Sequence, residues 1–142
     1  MKKYLLLFLA LPFLLCCSSD EIRNNNPYLP GYNFDFPLDL TLPTYNDLRF
    51  PSNPVLVNVE GVGINGVIVM NTGSGFVAFE NTCPNQEITN CSVLQINGIL
   101  AKCPCDGVEY SLFDGSATSQ VRFGLKAYRV QILSDTNIRI YN

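Results

Sequence analysis

The chain has 142 residues, room for one domain with a real core and not for two. Hydrophobic residues make up 47% and charged residues 15%, which excludes a disordered tail. A net charge of −3 and the complete absence of His exclude a basic nucleic-acid footprint and any Ser-His-Asp or Cys-His catalysis within this chain.

The first residues read as an address. Lys2 and Lys3 form a positive start, and Tyr4 to Leu15 an apolar stretch too short for an ordinary transmembrane helix. It ends in Leu14-Leu15-Cys16-Cys17-Ser18-Ser19, which resembles a bacterial lipobox, where a signal peptidase cuts before a Cys that becomes lipidated. Cys17 is the expected lipidation site. Cleavage there leaves small Cys16 at the last leader position, whereas cleavage before Cys16 would leave bulky Leu15. Residues 1–16 are thus the expected lipoprotein signal peptide. Ser18-Ser19-Asp20-Glu21 looks like the acidic export tag of some surface lipoproteins. Residues 17–31, polar and broken by Pro27, Pro30 and Gly31, read as an acylated flexible tether. Losing Lys2 and Lys3 from nine basic residues leaves seven against twelve acidic ones, so the processed chain is acidic.

Residues 32–142 then carry a β pattern. Phe34, Phe36, Leu38, Leu40 and Leu42 alternate with polar residues and Pro37, which demotes this strand to an edge. Val55 to Val59 is a second strand. The glycine-rich stretch Gly61 to Gly66 lacks a Gly-Lys-Ser/Thr ending and reads as turns, not a phosphate loop. Val67 to Asn71 and Phe76 to Asn81 form a hairpin around Thr72 to Gly75. Val93 to Ile96 and Ile99 to Lys102 flank Asn97-Gly98, a strong hairpin signal. Val108 to Leu112 is a strand, and Leu125 to Leu133 with Asn137 to Tyr141 form a closing hairpin. No stretch has helical periodicity. The expected fold is all-β, an antiparallel sandwich or small barrel.

Four cysteines fall in this domain: Cys83, Cys91, Cys103 and Cys105. In an exported domain they first suggest two disulfides, with three possible pairings. Cys103 with Cys105 would close a very small ring, so two pairings stay open, Cys83 bonding either Cys103 or Cys105. The rival is a Cys₄ site for zinc or iron, although the spacing lacks the two CxxC knuckles of a zinc site.

The segments Cys83-Pro84-Asn85 and Cys103-Pro104-Cys105-Asp106-Gly107 resemble the two ligand motifs of the Rieske [2Fe–2S] family. The resemblance runs from Phe76 to Tyr141 and includes Asp114-Gly115 and Leu125-x-x-Tyr128-x-Val130. It implies a Rieske-type β fold with a small cysteine-loop subdomain over about residues 82–112. It puts Cys83 and Cys103 at the positions of the two metal thiolates. It makes Cys91 and Cys105 the extra pair that braces the cluster loops in respiratory members, the longer first loop making the Cys91 match the looser one. Asn85 and Asp106 fall at the family's His positions. Without iron, the two close thiolates would bond, so the resemblance implies Cys83–Cys103 and Cys91–Cys105. Asn after Pro and Asp before Gly are also ordinary turn residues.

The functional expectation is an envelope lipoprotein, located at the bacterial outer membrane. Its Rieske-like domain is expected to hold no cofactor and to serve a binding or structural role, not an enzymatic one. Its partners would be the membrane, through the lipid, and an envelope protein, with no nucleic acid. The alternative is an electron-transfer protein with a non-standard [2Fe–2S] cluster. A thiol oxidoreductase would want CxxC on a thioredoxin-like pattern, which is missing.

Overall fold

The computed structural model describes residues 25–142. The expected signal peptide and Cys17, with the first part of the expected tether, lie outside the described residues. The described residues form nine strands, some alternating and some continuously apolar: β1 (Asp35–Asp39), β2 (Val55–Val57), β3 (Val67–Asn71), β4 (Phe76–Glu80), β5 (Gln95–Asn97), β6 (Leu100–Lys102), β7 (Glu109–Ser111), β8 (Ala127–Ile132) and β9 (Asn137–Tyr141). A single 3₁₀ turn, Asn46–Arg49, is the only helical element among the described residues. The fold is all-β and antiparallel, in line with the strand pattern.

A six-stranded sheet runs in the order β1-β9-β8-β4-β3-β2, and a three-stranded sheet in the order β5-β6-β7. β1 takes an edge, where Pro37, lacking an N–H, costs no ladder bond. It aligns Phe36 with Ile140 and Leu38 with Ile138. The run Val67 to Met70 is buried at every position, because both faces of β3 are covered. Val67 and Val69 join the main core with Leu38, Ala78, Ile138 and Ile140. Ile68 and Met70 face the other way and join Phe79, Cys83, Cys103 and Tyr110. The two clusters are the two sides of one sheet, and the second carries the cysteine-loop subdomain.

β8 changes partner along its length. Ala127 and Tyr128 pair with β4, whereas Arg129 to Ile132 pair with β9. Beyond Ala78 the strands β4 and β8 diverge. A groove of about 460 Å³ opens there, lined by Phe76, Val77, Phe113, Val130 and Tyr141 among others.

The end of the expected tether is not free. Leu29 is buried, and Asn26 Nδ2 donates to Pro84 O at 2.6 Å. The ring of Tyr28 meets Phe123 edge-on, and Lys126 Nζ donates to Pro30 O at 2.8 Å. The boundary at residue 31 is therefore too late, and the packed part of the chain begins near Asn26. Polar composition concealed this, because the anchoring is spread over the Leu29 side chain, the Tyr28 ring, the Asn26 amide and the Pro30 carbonyl.

Candidate functional site

The site is built from two loops. The first joins β4 to β5 and carries Cys83, Asn85 and Cys91. The second joins β6 to β7 and carries Cys103, Cys105 and Asp106. The first folds back on itself: Cys83 N–H donates to Ser92 O at 2.8 Å, and Thr82 forms a β-bridge with Val93. The second is a tight turn closed by Cys103 N–H to Val108 O and Gly107 N–H to Cys103 O, both 2.8 Å. Gly107 sits at φ +76°, a conformation that favours glycine. The Asn97-Gly98 hairpin brings the second loop back beside the first.

The loops are joined by Cys83–Cys103 and Cys91–Cys105, with Cα–Cα separations of 5.5 and 5.2 Å. The first bond is fully buried in the second core cluster. The second is peripheral: Cys91 is exposed and Cys105 half-buried. The two meet, because the Sγ atoms of Cys83, Cys103 and Cys105 all lie within 4.8 Å of one another. Hydroxyls surround the outer bond, with Thr89 Oγ1 at 3.2 Å from Cys91 Sγ and Ser92 Oγ at 3.9 Å from Cys105 Sγ.

Asn85 and Asp106, at the two family His positions, are differently occupied. The amide of Asn85 donates from Nδ2 to Phe123 O at 2.8 Å and to Tyr110 Oη at 3.0 Å. Its Oδ1 accepts from Phe123 N–H at 2.9 Å. Asn85 thus clamps the first loop to the segment before β8. Asp106 is exposed, and its Oδ1 accepts from Val108 N–H at 2.9 Å, an ordinary Asx turn. Burial raises the Tyr110 phenol above its usual pKa; the Asn85 bond pulls it back, and the Asp106 charge adds to the rise. As arranged, these groups do not form a [2Fe–2S] ligand set. The thiolates are spent on each other, and the amide's oxygen and nitrogen are committed to Phe123 and Tyr110.

A second cluster, which the sequence reading did not single out, lies at the end of β4. Glu80 is fully buried and its carboxylate accepts four bonds: from Ile64 N–H and Tyr128 Oη–H at Oε2, and from Asn65 N–H and Thr82 Oγ1–H at Oε1. The glycine-rich stretch therefore does present its amides to an anion, but that anion is the chain's own side chain. Gly63 is required, since a Cβ there would come 2.9 Å from Glu80 Oε2. Burial, with the Glu80 charge and bond added, drives the Tyr128 phenol far above its usual range. Lys126 is shifted down by burial, against the pull of Glu80.

No family model matches the chain, and no curated protein matches it. Several solved structures are similar in chain path. A chain assigned as the small subunit of an NADH-dependent nitrite reductase from Mycobacterium tuberculosis is 17% identical, with a TM-score of 0.48 over 79% of this chain and 97% of that one. The ferredoxin of carbazole 1,9a-dioxygenase from Nocardioides aromaticivorans IC177 is 23% identical, with a TM-score of 0.45 over 73% of this chain and 95% of that one. A complex of oxygenase and ferredoxin of carbazole 1,9a-dioxygenase gives 19%, 0.48, 74% and 92% in the same order. Values this low carry neither cofactor nor activity across.

Proposed function

We propose that this chain is an envelope lipoprotein whose Rieske-like domain works without a cluster, as a binding or structural part of an envelope assembly. The observation that carries the reading is Asn85. Its amide is built into the fold by three hydrogen bonds, at a position that a cluster would need free. The buried Cys83–Cys103 bond beside it supports the same reading, because it occupies both thiolate positions. A binding role draws support from the groove between β4 and β8, where Phe113 is exposed at 40%. The membrane tie would be Cys17, acylated and followed by a tether that ends near Asn26. Several acyl chains, at ~0.8 kcal/mol per buried CH₂, would anchor it stably.

Iron and free-thiol quantification on anaerobically purified protein tests the domain reading. The expected protein is colourless, iron-free and without free thiols in residues 25–142. About two irons per chain with four free thiols would favour the electron-transfer alternative, for which the gathering of three sulfurs within 4.8 Å speaks. For the anchor, Cys17→Ala is expected to leave an unprocessed precursor. Normal acylation of that variant, with loss in Cys16→Ala, would move the site to Cys16.

A further inference from the structure

The two disulfides differ in access and share a contact. Cys91 is exposed, while Cys83 and Cys103 are completely buried. Between them stands Cys105, half-buried, bonded to Cys91, with its Sγ within 4.8 Å of both inner sulfurs. A reductant in solution meets the outer bond first. The inner bond can be reached from solution only by opening the core cluster that contains it.

We infer that the two disulfides form an exchange relay, in which Cys105 passes reduction from the exposed Cys91–Cys105 bond to the buried Cys83–Cys103 bond. The input is a dithiol, such as a reducing protein partner with a thiol pair. It delivers two electrons to Cys91–Cys105 and becomes a disulfide itself. Thr89 and Ser92 hydroxyls stand ready to donate to the emerging thiolates. The Cys105 thiolate then attacks Cys83 Sγ. A Cys83–Cys105 bond forms, the Cys83–Cys103 bond breaks, and Cys103 leaves as a thiolate that takes a proton from solvent. Attack on Cys103 instead would close the small ring across Pro104, so Cys83 is the favoured target. In a last exchange the Cys91 thiolate attacks Cys105 Sγ, restoring Cys91–Cys105 and releasing Cys83 as a thiolate. The exchanges change no oxidation state overall; the two electrons end on the inner pair.

This relay rests on the cluster-free reading, since both pairs must start oxidised. The test therefore begins with mature protein already shown to be iron-free with all four cysteines bonded, so failure of the earlier reading is seen before the relay is tried. Wild-type protein is treated with less than one equivalent of a phosphine reductant at pH 8, quenched in acid, alkylated and mapped. The relay predicts half-reduced molecules whose inner bond is open: Cys91–Cys105 intact with Cys83 and Cys103 both alkylated, and, where the quench precedes the last exchange, a Cys83–Cys105 cross-linked peptide with Cys103 alkylated. Half-reduced molecules that all keep Cys83–Cys103 would overturn it. The Cys91→Ser/Cys105→Ser double variant adds a test of opposite sign. Without the relay, dithiothreitol should reduce the inner bond at least about tenfold more slowly than in wild type. If the outer bond were only a brace, its loss would loosen the loops and reduction would be faster. The limiting-phosphine experiment needs no variant and decides the matter even where the double variant does not fold.

Discussion

In the six-stranded sheet, Leu38, Val67, Val69, Ile138 and Ile140 are fully buried, with Leu38 aligned to Ile138 across β1 and β9 and Val69 to Ala78 across β3 and β4. In the three-stranded sheet, every residue of β5 is exposed, and each strand is three residues long. The first sheet is stabilised by burial in the ordinary way, at roughly 25 cal/mol per Å² of apolar surface. The second cannot be, because a sheet so small has little apolar area of its own. It takes its floor from Ile68, Met70 and Phe79 of the larger sheet, and its loops are stapled by two disulfides and by the Asn85 clamp. The residues that resemble a metal motif thus sit where the fold most needs cross-links. That is a physical reason for cysteines to stand there without a metal.

The widest break in this comparison comes from Glu80, which belongs to both regions: it ends β4 and holds the Gly61 to Gly66 turns. Glu80→Ala leaves two half-buried amides, a phenol and a hydroxyl without their acceptor, and is expected to cost about 3–5 kcal/mol. Chemical denaturation would show it as a large fall in midpoint. A cost below about 1 kcal/mol would mean that the carboxylate is not the keystone of that turn.

The next effect should stay within the smaller region. Cys83→Ala/Cys103→Ala removes a cross-link between residues twenty apart, expected to cost about 3 kcal/mol. Hydrogen exchange should rise in β5, β6 and β7 while β1, β8 and β9 keep their protection. Uniform loss of protection would show that the two sheets open as one unit. Asn85→Ala should cost less, about 1–3 kcal/mol, and should release the segment around Phe123. Protection at the Phe123 amide, which donates to Asn85 Oδ1, is the readout.

How far this could be read in advance differs between the two regions for the same reason. Alternation made β1 legible, with Pro37 at an edge, and apolar runs around local turns made the β3–β4 and β8–β9 hairpins legible. The Asn97-Gly98 turn was legible because its chemistry is local. Spacing left two disulfide pairings open, because proximity of loops distant in sequence is not a local property. The tether boundary was misplaced because Leu29 is one apolar residue in a polar run. Glu80 was invisible for a related reason: its four donors come from three separate segments, 64–65, 82 and 128, and only the folded chain assembles them.

The smallest expected effect concerns Tyr128, the one member of that assembly that can lose its proton in the alkaline range. Its folded pKa lies above the ordinary value of 10.0, first because of burial and then because of the Glu80 charge. The stability it contributes is complete below the unfolded pKa and is lost as pH rises above it, since the unfolded chain sheds a phenolic proton that the folded chain keeps. The slope cannot exceed about 1.4 kcal/mol per pH unit, and by pH 10.5 the loss should stay below about 1 kcal/mol. Tyr110, also raised, adds a loss of the same sign. Lys126, lowered, contributes a gain as pH rises through the window below 10.5. A comparison with Tyr128→Phe isolates the phenol from both. At pH 8 the wild type should be the more stable by the hydroxyl's bond to Glu80, and the gap should narrow between pH 9.5 and 10.5. A gap that stays constant or widens would mean that the folded chain does not keep the Tyr128 phenolic proton longer than the unfolded chain does.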